Sequence, residues 1–397
     1  MKRLFAIFLC AVMLAATLAG CAPKEEPNIT PSDDVVEESP TEESPTEETE
    51  TKSFDFDLAY KTFNPTDVMM VADGMDVTWE NFFYLLENYV GRLGQYYGTE
   101  IVWTDEIEAG LTCKDFVLES IIDWVKYSRA VENGAKDLGI DVVNGANDSI
   151  KAEWDAVVEQ CGSEEAAQEL LAERYCTKAF FDYIAKTNYF SRTCFETMFG
   201  SYGADLTDEE LDEYYVDAGF MMAKHILIAT ATTDESGNSV PLSDEEIAAA
   251  REKAEGISAQ LNSCSKDELP ALFDQLMNEN SEDPGLAMFP DGYLFQAGEM
   301  VPEFEATTLE LGEGEVSGIV ETQHGYHIIY KLPINYNVVA SADTMYLQFT
   351  DPAQLTPRYK AAETMFNTTI NDWISKVNVT YTEKYEAIDF ETMLVLK

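Results

Sequence analysis

Histidine is scarce in this sequence, with three residues in a chain of 397. Basic residues are also few: 25 Lys and Arg stand against 74 Asp and Glu, which gives a formal net charge of −49 at pH 7. A polyanion of this size repels nucleic acid, so nucleic-acid binding is excluded as a function. It also repels anionic lipid head groups, so any membrane contact must depend on something other than a basic patch.

Cysteine spacing gives no sign of a metal site or of a disulfide framework. Beyond the N-terminal region the sequence has no CxxC pair, and an odd number of cysteines remains: Cys113, Cys161, Cys176, Cys194 and Cys264. Such spacing supports neither zinc binding nor a conserved set of bridges. We expect mainly buried thiols, with room for one or two disulfides, and the sequence implies no cofactor.

The first 20 residues predict an export signal. A basic start, MKR, precedes the apolar run LFAIFLCAVMLAATLAG, which is too short and too early to be a structural helix. The run ends in LAGC, which resembles the lipobox of bacterial lipoproteins, so Cys21 is expected to carry acyl chains. Several acyl chains would hold the protein stably at the extracytoplasmic face of the cell membrane. The alternative is an ordinary secretory signal with a chance cysteine.

The sequence predicts a spacer over residues 21–53 and a helical domain over residues 54–220. The spacer contains the low-complexity acidic repeat EESPTEESPTEETET, which cannot bury enough apolar surface to order itself. In the helical region, helices are expected at about 113–138, 145–161, 163–173 and 176–200. Its many aromatic side chains fit a core better than a binding site, although an exposed minority could hold unfolded chains.

The pattern changes at Met221 and predicts an α+β domain over 221–334. MAKHILIA is typical of a central strand, because apolar residues mask its alternation. An amphipathic helix follows, capped by Ser243 and Glu246, then a second helix, a loop, a short helical turn and two strands. This order favours a small antiparallel sheet covered by helices.

Several separated motifs in this domain resemble the parvulin family of peptidyl-prolyl isomerases. They are KHILIA, SEDPG, GEMVPEFE and LGEGEVSGIVETQHGYHII, and the similarity covers about 222–332. Together with the export signal, spacer and helical domain, they resemble the extracytoplasmic PrsA-type foldase lipoproteins of Gram-positive bacteria. The stretch PDGYLF departs from the Gly-Gly-Asp-Leu-Gly run that is usual in the family.

The resemblance implies a set of site residues. It places His225 and His327 on neighbouring strands beneath the substrate proline, and Met300 and Phe304 in the prolyl pocket. Phe295 would form a further wall of that pocket. Asp283 stands where some relatives carry cysteine, which favours an electrostatic or hydrogen-bonding role, and His324 falls where relatives carry Ser, Phe or Tyr.

Other uses of the histidines find less support. A strand would point His324 and His327 to opposite faces unless Gly325 bends the chain, and no cysteine or further histidine stands nearby, so we expect no metal. A serine hydrolase is disfavoured because no GxSxG motif accompanies the histidines. The resemblance implies a prolyl isomerase and foldase for unfolded or partly folded secreted proteins with X–Pro bonds. A non-enzymatic holdase is the alternative, and a solute-binding lipoprotein fits only the signal and spacer; the oligomeric state stays open.

Residues 335–397 predict a C-terminal segment that packs on the N-terminal domain. Pro357 opens a helix whose apolar stripe runs from Tyr359 to Val377. Such a stripe must be buried, and the predicted isomerase domain is complete without it. We expect residues 60–218 and 335–397 to form one discontinuous domain into which the isomerase domain is inserted.

Overall fold

A computed structural model describes residues 53–98, 100–233, 239–339 and 351–397. The predicted signal peptide, Cys21 and nearly all of the spacer therefore lie outside the described residues. The chain divides into two units. The first unit joins the described residues up to Cys194 with Thr368–Lys397, and the second unit is Phe195–Asn367.

Helices account for most of the regular structure. In chain order they are α1 (Phe56–Tyr60), α2 (Trp79–Tyr97), α3 (Cys113–Asp137), α4 (Asn147–Cys161), α5 (Glu164–Glu173), α6 (Lys178–Phe199), α7 (Asp208–Asp217), α8 (Asp244–Ser263), α9 (Leu269–Asn280), α10 (Pro302–Glu310), α11 (Pro357–Lys376), α12 (Glu383–Glu386) and α13 (Phe390–Met393). Short 3₁₀ turns occur at Ser201–Gly203 and Pro352–Leu355. Within the described ranges, none of the helices combines the length and the apolar character that crossing a membrane requires.

The strands are short and antiparallel. They are β1 (Val68–Ala72), β2 (Met75–Thr78), β3 (Glu106–Glu108), β4 (Leu111–Thr112), β5 (Met221–Ala229), β6 (Ala231–Thr233), β7 (Ser239–Pro241), β8 (Tyr293–Phe295), β9 (Val316–Thr322), β10 (Gly325–Leu332) and β11 (Val379–Tyr381). The main sheet of the first unit has the order β11-β1-β2, and that of the second unit has the order β8-β5-β10-β9.

Helix starts follow the capping rules in most places. Ser243 and Glu246 form a reciprocal capping box at the start of α8, as the sequence predicted, and Thr207 and Glu210 form another at α7. Thr78 occupies the N-cap position of α2, but its side chain makes no capping hydrogen bond to that helix. Thr78 ends strand β2, and its hydroxyl is buried without a partner among the described residues.

The first unit has an aromatic core that the C-terminal segment completes. Trp79 and Phe83 on α2 are fully buried there, with their rings 5.2 Å apart. Strand β11 pairs with β1, so that Met70 faces Tyr381 across the ladder. Trp373 on α11 lies over Gly134 on α3, where any Cβ would stand 2.2 Å from the indole ring. Glycine at 134 therefore allows these two helices to approach closely.

The second unit contains a four-stranded antiparallel sheet with helices against it, which confirms the predicted α+β class. Strands β5 and β10 are central, as the apolar run in β5 predicted. The hairpin β6–β7 and the edge strand β8 were not predicted, because three residues are too few to show alternation. The domain boundaries at 220/221 and 334/335 stay predictions.

The two faces of this sheet bury different kinds of side chain. Because side chains alternate along a strand, Ile226, Ile228 and Ile328 all lie on one face, where helices α8 and α9 cover them. His225 and His327 occupy the intervening positions and lie on the other face, near Phe304 of α10. The apolar side chains of one face thus pack the sheet against α8 and α9, and the opposite face carries the two histidines.

Candidate functional site

The two histidines of β5 and β10 lie side by side. The strands are antiparallel, with Ile329 opposite His225 and His327 opposite Leu227. This register puts the histidines two positions apart on the same face, and their ring centroids are 5.2 Å from each other. His327 is buried, and only 10% of the His225 side chain is exposed. Strand pairing alone therefore assembles the pair that the sequence separates by a hundred residues.

The rings of Phe304 and Phe295, called the aromatic floor below, close this site on the side of α10. The Phe304 ring lies 5.3 Å from His225 and 5.7 Å from His327, edge-on to both. Phe295 of β8 packs against Phe304 at 5.7 Å, and the half-buried Met300 joins the same cluster. Phe295 is fully buried, so it supports the Phe304 ring from behind. The predicted pocket residues therefore come together, with Phe304 in contact with both histidines.

A carboxylate and a phenol hydroxyl border His225 on the side of β8. Asp283 Oδ2 lies 3.5 Å from His225 Nε2, and Tyr293 donates its hydroxyl hydrogen to the same oxygen at 2.6 Å. The other oxygen, Oδ1, accepts the backbone N–H of Gly285 at 3.1 Å. The Tyr293 ring stacks on the imidazole of His225, with centroids 5.6 Å apart and an interplanar angle of 20°. Two donors thus fix the orientation of the Asp283 carboxylate.

Burial favours the neutral form of both imidazoles. It lowers the pKa of His225, and the nearby Asp283 opposes this shift. It also lowers the pKa of His327 to about 4, with further lowering from His225 and His324, whereas Asp283 acts in the opposite direction. The buried Nδ1 atoms of His225 and His327 have no hydrogen-bond partner in the part of the chain that the structure describes. At neutral pH the site therefore presents two uncharged imidazoles.

His324 lies apart from the buried pair. It is exposed in the tight turn between β9 and β10, where its backbone N–H donates to Thr322 Oγ1 at 3.1 Å. The same hydroxyl oxygen is 2.9 Å from His327 Nε2. Gly325 follows with φ +142°, and any Cβ there would stand 2.2 Å from the carbonyl oxygen of Ile228. Glycine at 325 therefore permits the bend that separates His324 from His327.

Sequence reasoning placed six of its seven site residues in one cluster and missed two of their neighbours. The six are His225, Asp283, Phe295, Met300, Phe304 and His327. The missed residues are Tyr293 and Thr322, each of which bonds a predicted site residue. Tyr293 shares a strand face with Phe295, but the three residues of β8 are too few for the sequence to have indicated this. The structure gives the placement of these residues, and their individual roles stay predictions.

The chemistry available here is binding and polarisation. Across the described ranges, no group of three or more histidine, cysteine, aspartate or glutamate side chains is arranged to hold a metal ion. Two neutral imidazoles, a carboxylate and two hydroxyl groups stand around an aromatic floor. Such a site can enclose an apolar ring while offering hydrogen-bonding groups to an amide beside it.

Comparison with known families identifies this domain. Residues 225–332 match the model of the rotamase family, described as the PPIC-type PPIase domain. Residues 225–332 are a parvulin-type peptidyl-prolyl isomerase domain. The match begins at His225 and includes His327, Asp283 and Phe304, so the cluster described above lies within the isomerase domain. It confirms the isomerase activity that the sequence predicted.

Curated proteins that match parts of this chain are foldase proteins. The foldase protein PrsA of Caldanaerobacter subterraneus subsp. tengcongensis is 26% identical over 272 residues, covering 66% of this chain and 72% of that protein. The foldase protein PrsA of Geobacillus kaustophilus is 34% identical over 126 residues, covering 31% of this chain and 36% of that protein. The crystal structure of PrsA from Bacillus subtilis is 19% identical, covers 79% of this chain and 92% of that chain, and gives a TM-score of 0.25. The predicted resemblance to PrsA-type foldases is confirmed.

Proposed function

We propose that this protein assists the folding of secreted proteins outside the cytoplasmic membrane by isomerising their X–Pro bonds. One observation carries the proposal: two neutral, buried imidazoles lie against the ring of Phe304 within the isomerase domain. Partial double-bond character gives amide rotation a barrier of about 18–20 kcal/mol. Uncatalysed exchange takes tens of seconds or longer, which is slow enough to limit folding.

A catalyst of this reaction must bind the twisted amide better than either planar form. The twisted amide has lost charge separation, so it suffers less than the planar forms when water is removed. In the proposed mechanism the proline ring packs in the pocket of Met300 and Phe304, and the imidazoles of His225 and His327 lie beneath the rotating bond. Because both imidazoles are uncharged, they do not favour the polar planar amide.

Each polar residue has a distinct proposed role. Thr322 fixes the ring orientation of His327 through its hydroxyl group, 2.9 Å from Nε2. Asp283 supplies a negative charge near His225 without attacking the substrate, since an ionised carboxylate held by two donors is a poor nucleophile. His324, exposed at the turn, would contact only the segment of the client next to the proline.

The location follows from the N-terminal sequence. We infer that Cys21 carries acyl chains, which anchor the protein at the extracytoplasmic face of the cell membrane. The acidic spacer over 21–53 would hold the folded units away from the lipid surface, because like charges extend a chain. Its clients would be partly folded proteins that emerge from export.

The charge near the site favours unmodified or basic clients. Isomerases that require phosphoserine or phosphothreonine before proline hold the phosphate with Lys and Arg after the first strand. Here Asp244, Glu245 and Glu246 open α8 instead, and Arg251 is the first basic residue after β5. A dianionic phosphate would be repelled, more strongly at low salt.

Proline-limited refolding of a model protein tests the proposed function. With the full chain added in catalytic amounts, we expect the slow refolding phase to accelerate in proportion to its concentration. A non-enzymatic holdase would leave that phase unchanged and would suppress aggregation only at stoichiometric amounts. The second outcome would overturn the proposed enzymatic function.

A further inference from the structure

Tyr293 occupies an unusual place beside the site. It lies in the stretch PDGYLF, where the sequence departs from the glycine-rich run that is usual among parvulins. Its hydroxyl group donates to Asp283 Oδ2 at 2.6 Å, and its ring stacks on His225. A Cβ at Gly285 would stand 2.0 Å from the Tyr293 hydroxyl oxygen, so glycine at 285 leaves the room that this hydroxyl group occupies.

The bond to Tyr293 competes with a bond to His225. Asp283 Oδ2 lies 3.5 Å from His225 Nε2, which is longer than the about 2.7–3.2 Å of an N–H···O hydrogen bond. The carboxylate is turned toward Tyr293 and the backbone N–H of Gly285, which together satisfy both oxygens. If the phenol hydroxyl were absent, the imidazole of His225, 3.5 Å from Oδ2, would be a side-chain donor close to that oxygen.

An aspartate–histidine hydrogen bond would change the state of His225. A carboxylate that accepts the Nε2–H stabilises the protonated imidazole and so raises its pKa. The other groups that face His225 do not do this: His327 from β10 is itself a base, and α10 contributes the uncharged Phe304. Asp283 is therefore the group that can stabilise a protonated His225, and Tyr293 is the hydrogen-bond partner of Asp283.

We propose that Tyr293 is a positioning residue of the isomerase site, whose hydroxyl group holds the Asp283 carboxylate away from His225 and so keeps that imidazole neutral. This inference rests on the proposed function, since it assigns the neutral state of His225 to the working enzyme. It concerns this chain in particular, because the hydroxyl group, the small residue at 285 and the carboxylate must occur together. Tyr293 acts through Asp283 and His225 and does not touch the reacting bond in this arrangement.

Histidine NMR of the full chain tests the proposal directly. Because the chain has only three histidines, isotope labelling at histidine gives few signals, which single replacements assign. Tyr293→Phe removes one oxygen and keeps the stacked ring. We expect the His225 pKa to rise by at least about 0.3, since the carboxylate is then free to accept from Nε2. A smaller rise, or a fall, would overturn the proposal.

A matched control variant and the pH profile of activity show whether Tyr293 positions Asp283 or only stabilises the fold. Tyr175→Phe also deletes a tyrosine hydroxyl group that donates to an aspartate, at 2.8 Å to Asp57, and should leave the His225 pKa unchanged. The acid limb of the kcat/KM profile should move to higher pH in Tyr293→Phe by as much as the His225 pKa does. If the wild type shows no isomerase activity, the proposed function fails, whereas the NMR result still decides the part concerning Tyr293.

Discussion

Of the tyrosine hydroxyl groups that donate to aspartate carboxylates, Tyr175 in the first unit and Tyr293 in the second unit can be compared directly, because each ring packs against another aromatic ring. Tyr175 donates to Asp57 at 2.8 Å in the first unit, and Tyr293 donates to Asp283 at 2.6 Å in the second unit. Burial, and then the neighbouring carboxylate, raises the pKa of both phenols. The chemistry of the two bonds is therefore nearly the same.

Their neighbours differ. The Tyr175 ring packs edge-on against Phe83 at 4.9 Å, within an aromatic core. The Tyr293 ring stacks on His225, whose Nε2 is 3.5 Å from the carboxylate that Tyr293 holds. The same bond thus lies beside an aromatic core in one place and beside an imidazole, whose neutral form we propose it favours, in the other. The difference teaches that the role of a hydrogen bond depends on which titratable group shares its acceptor.

The largest expected effect is structural and lies in the first unit. Phe83 is fully buried, and its ring touches Phe56, Tyr60, Trp79 and Tyr175. Phe83→Ala should lower the free energy of unfolding of that unit by about 3–5 kcal/mol, because it leaves a cavity among rings. Chemical denaturation measures this cost. Under conditions where the variant stays folded, isomerase activity should remain within about twofold of wild type; a parallel loss of activity would break the comparison.

The next effect is the dependence of stability on pH in the second unit. The unfolded pKa of a histidine is about 6.5, and the folded His327 has a pKa of about 4. Between these values the unfolded chain binds a proton that the folded chain refuses, so this contribution is present above pH 6.5 and is lost as pH falls. At pH 5 the loss from His327 should reach about 2 kcal/mol.

Denaturation of wild type and His327→Gln at pH 7 and pH 5 measures this loss. The replacement removes the titrating group, so the stability of the variant relative to wild type should improve by about 2 kcal/mol between the two pH values. Titrating groups that do not interact with His327 are common to both proteins and cancel in the comparison. An unchanged difference would show that His327 is not held neutral by burial.

The smallest effect concerns the space beside Tyr293. Gly285→Ala should push the Tyr293 hydroxyl group away from Asp283, because the added Cβ would stand 2.0 Å from its oxygen. The His225 pKa should then rise as in Tyr293→Phe, by at least about 0.3, with the ring still present. Gly256→Ala on α8 is the matched control, since a Cβ there meets nothing within 4 Å. Equal His225 titrations in the two glycine variants would contradict this account.

Local patterns predicted the elements, and the resemblance to the parvulin family supplied the candidate site residues. The observed limits of α3 to α6 lie close to the predicted ones, and the two central strands carry His225 and His327 on one face, as alternation requires. The resemblance also placed Asp283 and Phe304 in the same site. Each of these features depends on a short stretch of sequence, which can be recognised without knowing the rest of the fold.

What the sequence did not predict depends on remote or very short contacts. The pairing of β11 with β1 joins residues about three hundred positions apart, and no local pattern contains it. Strand β8 has three residues, so its alternation was too brief to place Tyr293 beside His225. Thr78 shows a different limit: it ends β2 and stands at the N-cap of α2, yet its hydroxyl group makes no capping hydrogen bond to that helix.

The central claim is that the buried histidine pair and Phe304 form the isomerase site. Its most direct test is kcat/KM for a short X–Pro peptide, measured for His225→Ala, His327→Ala and Phe304→Ala, each checked for folding, with Tyr175→Phe as control. We predict that each site variant loses at least about tenfold, equivalent to about 1.4 kcal/mol of transition-state stabilisation, and that the control keeps wild-type activity. Wild-type kcat/KM in folded forms of both histidine variants would contradict the account.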